Sequence, residues 1–142
     1  AGTTTTLTTT AQANPIVIRG KSASWTGAAN QATPTLDSVT GVAFVGVGIN
    51  KGSVFTICRD AAGAMKAVQG QIVDLDASSA FVTAPQFGPQ IDTLCPVGYI
   101  LVKVGPTGAT WTFGASNFAG PPTGVVFTFV NINLIPDRPQ VS

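Results

Sequence analysis

The stretch VGYILVKV, residues 97–104, decides the fold of this chain, because it is apolar at almost every position. Cys95-Pro96 precedes it and Gly105-Pro106 follows it, so residues that interrupt regular structure mark both of its ends. A strand of this composition is covered on both faces, and we therefore predict that it lies in the centre of a sheet. Lys103 is its one charged residue, which we expect at an exposed end or paired with an Asp.

Two further stretches, residues 42–49 and 125–132, share this pattern of apolar residues on both faces. Shorter apolar or alternating stretches predict strands at 15–19, 53–59, 64–69, 71–75 and 109–113. The sequence DAAG at 60–63 has the end residues of a type I turn and predicts a hairpin between its flanking strands. A short helix over 60–68 is the competing interpretation, because the Ala, Met and Lys residues there tolerate helix.

The composition of the chain is typical of β-structure with many turns. Thr, Val, Ala, Gly and Pro are abundant among the 142 residues, charged residues make up 9%, and Glu and His do not occur. We predict an all-β protein, an antiparallel β-sandwich or jelly-roll-like domain with extended N- and C-terminal arms. Its predicted parts are a Thr-rich arm at 1–14, the domain at 15–134 and a Pro-rich tail at 135–142.

No arrangement of residues suited to catalysis is visible. Without His, Ser–His–Asp and Cys–His sites are impossible, and most Asp residues lie in turn-like stretches where they hydrogen-bond the backbone. Asp74 and Asp76 offer oxygens to a cation such as calcium, but too few ligands accompany them, and a solvated strand end is the better interpretation. We expect no enzyme activity, no cofactor, no metal and no small-molecule substrate.

Two cysteines allow one disulfide in an oxidising compartment, and their spacing fits no zinc site. Cys58 lies in an apolar strand and is expected to be a small core side chain, so we favour free thiols at Cys58 and Cys95.

The net charge is +1, so the chain has no long-range field that favours nucleic acid or an anionic membrane. The sequence contains no run of about 18 apolar residues, so it predicts no membrane-spanning helix. So few charges suggest a surface covered by copies of the chain or by a partner, although a small secreted domain with a polar Thr- and Ser-rich surface is the alternative. The start, Ala1-Gly2, suits a cytoplasmic protein that has lost its Met and equally a mature exported chain.

Both ends of the chain and one tryptophan are the candidate binding elements. The Thr-rich start favours extended backbone but buries too little to order itself alone, so we expect disorder or docking on a neighbouring sheet. Trp25 stands alone in a polar region and is expected in the core or a subunit contact. Prolines pre-extend the tail for binding, and a solvated tail is equally compatible. The candidate interface residues are Thr3, Thr4, Thr5, Thr6, Leu7, Trp25, Pro136, Asp137, Arg138 and Pro139.

Residues 53–139 resemble the capsid decoration (cement) proteins of tailed bacteriophages. The matching motifs are, in order, DAAG with VQG, LCPVGYI and LIPDRP, at 60–70, 94–100 and 134–139. The resemblance implies a β-rich module, usually a homotrimer, that sits on the outer capsid shell and ties capsomers together. Its implied partners are the major capsid protein and itself, and its implied location is the virion, after synthesis in the host cytoplasm.

A secreted adhesin, such as a pilin-like or lectin-like carbohydrate-binding module, is the alternative hypothesis. The Thr-rich start would then donate a strand to a neighbour, and Trp25 or Trp111 would offer a platform for a sugar. A disulfide between Cys58 and Cys95 would favour this alternative. A phage tail or fibre component is a third possibility that differs from the first in location only.

Overall fold

The computed structural model describes residues 6–9, 16–23, 27–132 and 139. This part of the chain contains eight β-strands and no helix. The strands are β1 (Thr6–Thr9), β2 (Ile16–Ile18), β3 (Lys21–Ala23), β4 (Ala28–Ala32), β5 (Lys51–Arg59), β6 (Met65–Asp74), β7 (Cys95–Val104) and β8 (Val125–Asn131).

Four strands form the main sheet in the order β6-β5-β7-β8, and every neighbouring pair is antiparallel. β7 contains residues 97–104 and pairs with β5 on one side and β8 on the other, so the predicted central strand is confirmed. The register places Tyr99 of β7 between Thr56 of β5 and Val130 of β8. The prediction of an all-β, antiparallel protein is also confirmed.

β5 and β6 form the predicted hairpin, and the alternative of a helix over 60–68 is wrong. Asp60 Oδ1 accepts hydrogen bonds from the N–H groups of Ala62 and Ala64 at 3.0 and 2.9 Å, which fixes the turn. Gly63 supplies the positive φ of 80° at its end. β6 then continues to Asp74, so the two short strands predicted at 64–69 and 71–75 are a single strand.

One face of the main sheet is covered by an aromatic cluster from irregular segments. Phe55 of β5 stacks on Phe113 with 4.9 Å between the ring centroids, and Phe44 and Trp111 meet Phe55 edge-on. The strand predicted at 109–113 is reduced to an isolated bridge at Trp111. Aromatic side chains, rather than paired strands, therefore build this covering layer.

The other face of the main sheet is covered by part of the long connection between β6 and β7. Phe87 packs edge-on against Tyr99 at 5.2 Å. Phe81 lies on Gly52, where an added Cβ would be 2.4 Å from the ring. Lys103 extends over the Phe81 ring, with Nζ 4.9 Å from its centroid, so an aromatic face partly covers its charge.

Residues 42–49 do not form the regular strand that their apolar pattern predicts. Their backbone has only isolated bridges, and the N–H and C=O of Val45 bind the side-chain amide of Gln69 at 2.8 and 2.9 Å. A side chain thus takes the place of a partner strand. Val42 and Val45 are 61% and 62% exposed, whereas Val47 is fully buried, so only one side of the segment is covered.

Two small antiparallel sheets complete the fold. β1 pairs with β4, and β2, which confirms the strand predicted at 15–19, pairs with β3. Arg19 lies in the turn after β2 and forms a two-bonded ion pair with Asp92, at 2.9 Å for each bond. This pair connects the β2–β3 hairpin to the segment that leads into β7.

Candidate interaction surface

The two edges of the main sheet differ, and the edge formed by β6 is covered by the chain itself. The Gln69 N–H donates to the Asp37 carboxylate at 2.7 Å. Two residues further on, the Gln71 N–H donates to Gln86 O at 2.9 Å. These bonds occupy the outward-facing groups that another strand would need.

The opposite edge is formed by β8, and none of the described strands pairs with its outer side. Ile132 N–H donates to Val97 O at 3.2 Å, and Gly105 N–H donates to Gly124 O at 2.8 Å. Because backbone groups alternate in direction along a strand, this pattern aims the groups of residues 126, 128 and 130 at β7. The N–H and C=O groups of Phe127 and Phe129 therefore face outward.

Several side chains of β8 are exposed together with its backbone edge. Val126 is 58% exposed and Phe129 is 56% exposed, and the strand has no charged residue, proline or bulge. Exposed edge strands usually carry such features because they prevent unwanted pairing. An apolar strand edge without them is a site for adding a strand from another chain.

A buried arginine fastens the β1–β4 sheet to the main sheet. Arg59, the last residue of β5, is fully buried, and burial lowers the pKa of its guanidinium from the usual value. The group donates to Thr9 Oγ1 of β1 at 3.2 Å, to Gln31 Oε1 of β4, and to Gly63 O at 2.9 Å. One side chain therefore holds both strands of the small sheet.

The structure describes three of the ten residues that the sequence proposes as an interface. Thr6 and Leu7 lie in β1, where Leu7 packs against the main core, and Pro139 is buried. These residues are therefore in contact with their own chain. The other seven lie outside the described residues: Thr3, Thr4, Thr5, Trp25, Pro136, Asp137 and Arg138.

The described carboxylates are engaged in structural bonds. Asp74 pairs with Lys51 at 2.6 Å, and Asp76 Oδ1 accepts from Ser78 and Ala80 at 2.7 to 2.9 Å. These bonds to Ser78 and Ala80 hold the pKa of Asp76 below its usual value. In residues 6–9, 16–23, 27–132 and 139 no cluster of three metal-ligating side chains occurs.

An open cleft of about 540 Å³ lies between the segments 34–41 and 91–94. Asp60 and Lys66 line it and lie 3.7 Å apart as an ion pair. Asp37 also lines it, but its carboxylate is already bonded to backbone N–H groups. The charged groups that line the cleft are therefore engaged in bonds within the chain.

The cysteines and Trp111 have structural positions. Cys58 and Cys95 are both free thiols, as the sequence favours, and burial raises the pKa of Cys58 to about 12. A thiol with so high a pKa is a weak nucleophile near neutral pH.

Trp111 is fully buried and donates from Nε1 to Asn117 O at 3.0 Å, so its suggested role as a sugar platform is wrong.

The sequence does not identify the β8 edge or Arg59 as important positions. It predicts a strand at 125–132 but interprets apolar residues on both faces as a sign of full coverage. The apolar pattern does not distinguish a central strand from an edge strand, because the order of the strands in a sheet is a tertiary property. For Arg59, the signal is a charged residue at the end of an otherwise apolar strand.

No helix in the described ranges is long and apolar enough to cross a membrane. Comparison of the sequence with protein-family models, with curated proteins and with solved structures gives no match.

Proposed function

We propose that this chain is a non-enzymatic virion structural protein, a capsid decoration (cement) protein that binds the outer capsid shell as an oligomer. The observation that carries the proposal is the β8 edge, where outward-facing backbone groups combine with exposed Val126 and Phe129. Such an edge suits a protein that works by binding other chains. The resemblance of residues 53–139 to decoration proteins directs this general role to the capsid.

The rest of the proposal follows from the same resemblance. The partners are the major capsid protein and further copies of this chain, with a homotrimer as the implied oligomer. The main sheet and its covering segments would correspond to the β-sandwich or jelly-roll-like module, and the arms would extend the contact. Many symmetric copies, each binding by surface burial, would add up to a strong clamp on the shell.

The proposal is tested on tailed-phage particles from the source of this sequence. We expect the protein in purified particles at a fixed ratio to the major capsid protein, and as density on the outside of the shell in a cryo-electron map. Protein that is absent from purified particles, or present only inside the tail, would contradict the proposal.

Recombinant variants then test the arms. Deletion of residues 1–5, which leaves β1 in place, and charge reversal at Arg138 are each expected to lower occupancy on shells depleted of the protein, and to lower the temperature at which the shells break. Lys21→Glu reverses an exposed charge within the predicted domain and serves as the control for Arg138→Glu. Unchanged occupancy with both arm variants would restrict binding to the domain between them.

A further inference from the structure

We propose that β8 joins two copies of this chain across a two-fold axis, with Thr128 on the axis and the two β8 strands antiparallel. The two main sheets would then form one continuous sheet of eight strands. The inference goes beyond the proposed function, because it needs no capsid, and it assigns a dimer to the isolated protein in place of the homotrimer that the resemblance implies.

A second β8 is the occupant that the two sheet edges favour. A head-to-tail ring would require β8 to pair with the β6 edge of the next copy, and bonds from Gln69 and Gln71 to other segments occupy that edge. The strands of the two small sheets are three to five residues long, against seven for β8. Pairing of β8 with itself, the isologous arrangement, uses the longest open edge on both sides.

The sequence of β8 matches itself when it is reversed. Residues 126–130 read VFTFV, which is the same in both directions. With Thr128 on the axis, Phe127 stands opposite Phe129 of the second copy, and these are the residues whose N–H and C=O groups face outward. In an antiparallel pair, opposed residues of this kind exchange two hydrogen bonds, so this register joins the free groups directly.

The side chains agree with the same register. On one face, Phe127 already contacts Phe118 at 5.2 Å between ring centroids, and the exposed Phe129 lies 6.1 Å from Phe118. Pairing would place the phenylalanines of both copies side by side and cover Phe129. On the other face, Val126 would stand opposite Val130 of the second copy. Aromatic and β-branched pairs of this type stabilise adjacent strands, and β8 has no charge that would repel its copy.

The position of Thr128 gives a direct test, because only a residue on the two-fold axis lies opposite the same residue of the second copy. Thr128 is exposed, so substitution there leaves the core of the chain intact. In Thr128→Lys two ammonium groups would meet, and in Thr128→Asp two carboxylates would meet. We expect wild type to have the mass of a dimer by analytical ultracentrifugation, each variant alone to have half that mass, and an equimolar mixture to recover the dimer.

Two controls separate the contact from a general effect of charge. Val82→Lys introduces a charge at an exposed valine outside β8 and is expected to keep the wild-type mass. Thr128→Gln changes the size of the side chain without charge and is expected to weaken association less than Thr128→Lys. Circular dichroism of each variant shows whether the chain is folded.

A second variant keeps the test decisive if the charged variants do not fold. Residues opposite each other in a non-hydrogen-bonded antiparallel pair are about as far apart as a disulfide requires. Thr128→Cys is therefore expected to form a cross-linked dimer under mild oxidation, whereas Val82→Cys and wild type are not. A wild-type monomer at all concentrations, a trimer that Thr128→Lys leaves intact, or failure of Thr128→Cys to cross-link would overturn the proposal.

Discussion

At the scale of single residues, Asp37 shows how a buried carboxylate can support an irregular segment. Its side chain accepts from the N–H groups of Val39, Thr40 and Gln69 at 2.7 to 3.0 Å, and the residue is 6% exposed. Burial raises the pKa of Asp37, but the hydrogen bonds from these N–H groups outweigh it and leave the pKa below its usual value.

This pKa predicts a stability that depends on pH. A carboxylate with a lower pKa in the folded state than in the unfolded state stabilises the fold above about pH 4, and this contribution disappears as the pH falls through the folded pKa. We expect Asp37→Asn to lower the free energy of unfolding by about 1–3 kcal/mol at pH 7 and to flatten its decline below about pH 4. Urea denaturation at a series of pH values measures both effects.

Asp92→Asn is the matched control for the pH series, because it removes an exposed carboxylate that pairs with Arg19. This variant should keep most of the acid-dependent decline that Asp37→Asn loses. Equal slopes for wild type and Asp37→Asn below about pH 4 would show that Asp37 is not the residue responsible.

At the scale of elements, the attachment of the β1–β4 sheet depends on Arg59. Burying a guanidinium is costly, and this cost is offset by its bonds to Thr9, Gln31 and Gly63. Replacement by an apolar side chain removes the desolvation cost together with the bonds, but it leaves the acceptors on Thr9, Gln31 and Gly63 without their donor, so the loss falls mainly on the attachment of the small sheet.

Arg59→Met is therefore expected to act locally. Amide hydrogen exchange in β1 and β4 should become at least about tenfold faster, which corresponds to about 1.4 kcal/mol, while exchange in the centre of β7 changes less. Lys51→Met removes an exposed cation at the opposite end of β5 and should leave exchange in β1 unchanged. Equal acceleration of β1 and β7 in Arg59→Met would indicate global unfolding instead of local detachment.

The strands show how far the sequence predicts this fold. Residues 97–104 are interpreted correctly because apolar residues on both faces, bounded by prolines, need cover that only a central strand receives. The same pattern fails at 42–49, where a side chain of β6 binds the backbone in place of a strand. It is incomplete at 125–132, where the strand is present but lies at an edge. The tertiary structure decides which segment covers an apolar residue, and the local pattern of apolar residues does not predict it.

At the scale of the whole molecule, the same limit applies to the candidate site. Low charge in the sequence predicts a surface that binds other chains, but the interface residues that the sequence proposes lie in the two arms and at Trp25. The open edge emerges only when the strand order is known, because the difference between β6 and β8 depends on which loops cover each edge. In the sequence, Val126 and Phe129 do not differ from other apolar residues, and only the strand order shows that they are exposed at the β8 edge.

The two-fold contact predicts that the thermal stability of the whole molecule depends on its concentration. When a dimer unfolds to two separate chains, mass action favours the folded state as the concentration rises. A tenfold rise is worth about 1.4 kcal/mol per dimer, which raises the Tm by about 2 °C for a chain of this size. Differential scanning calorimetry over a hundredfold range should show about twice this shift, and Thr128→Lys should show none.

Salt gives a second test of the same contact. Because β8 carries no charge, the shift of the Tm with concentration should be the same at low and high salt. A Tm that is constant with concentration would mean that the chain is stable as a monomer, and a shift that disappears in high salt would place the contact on charged residues elsewhere.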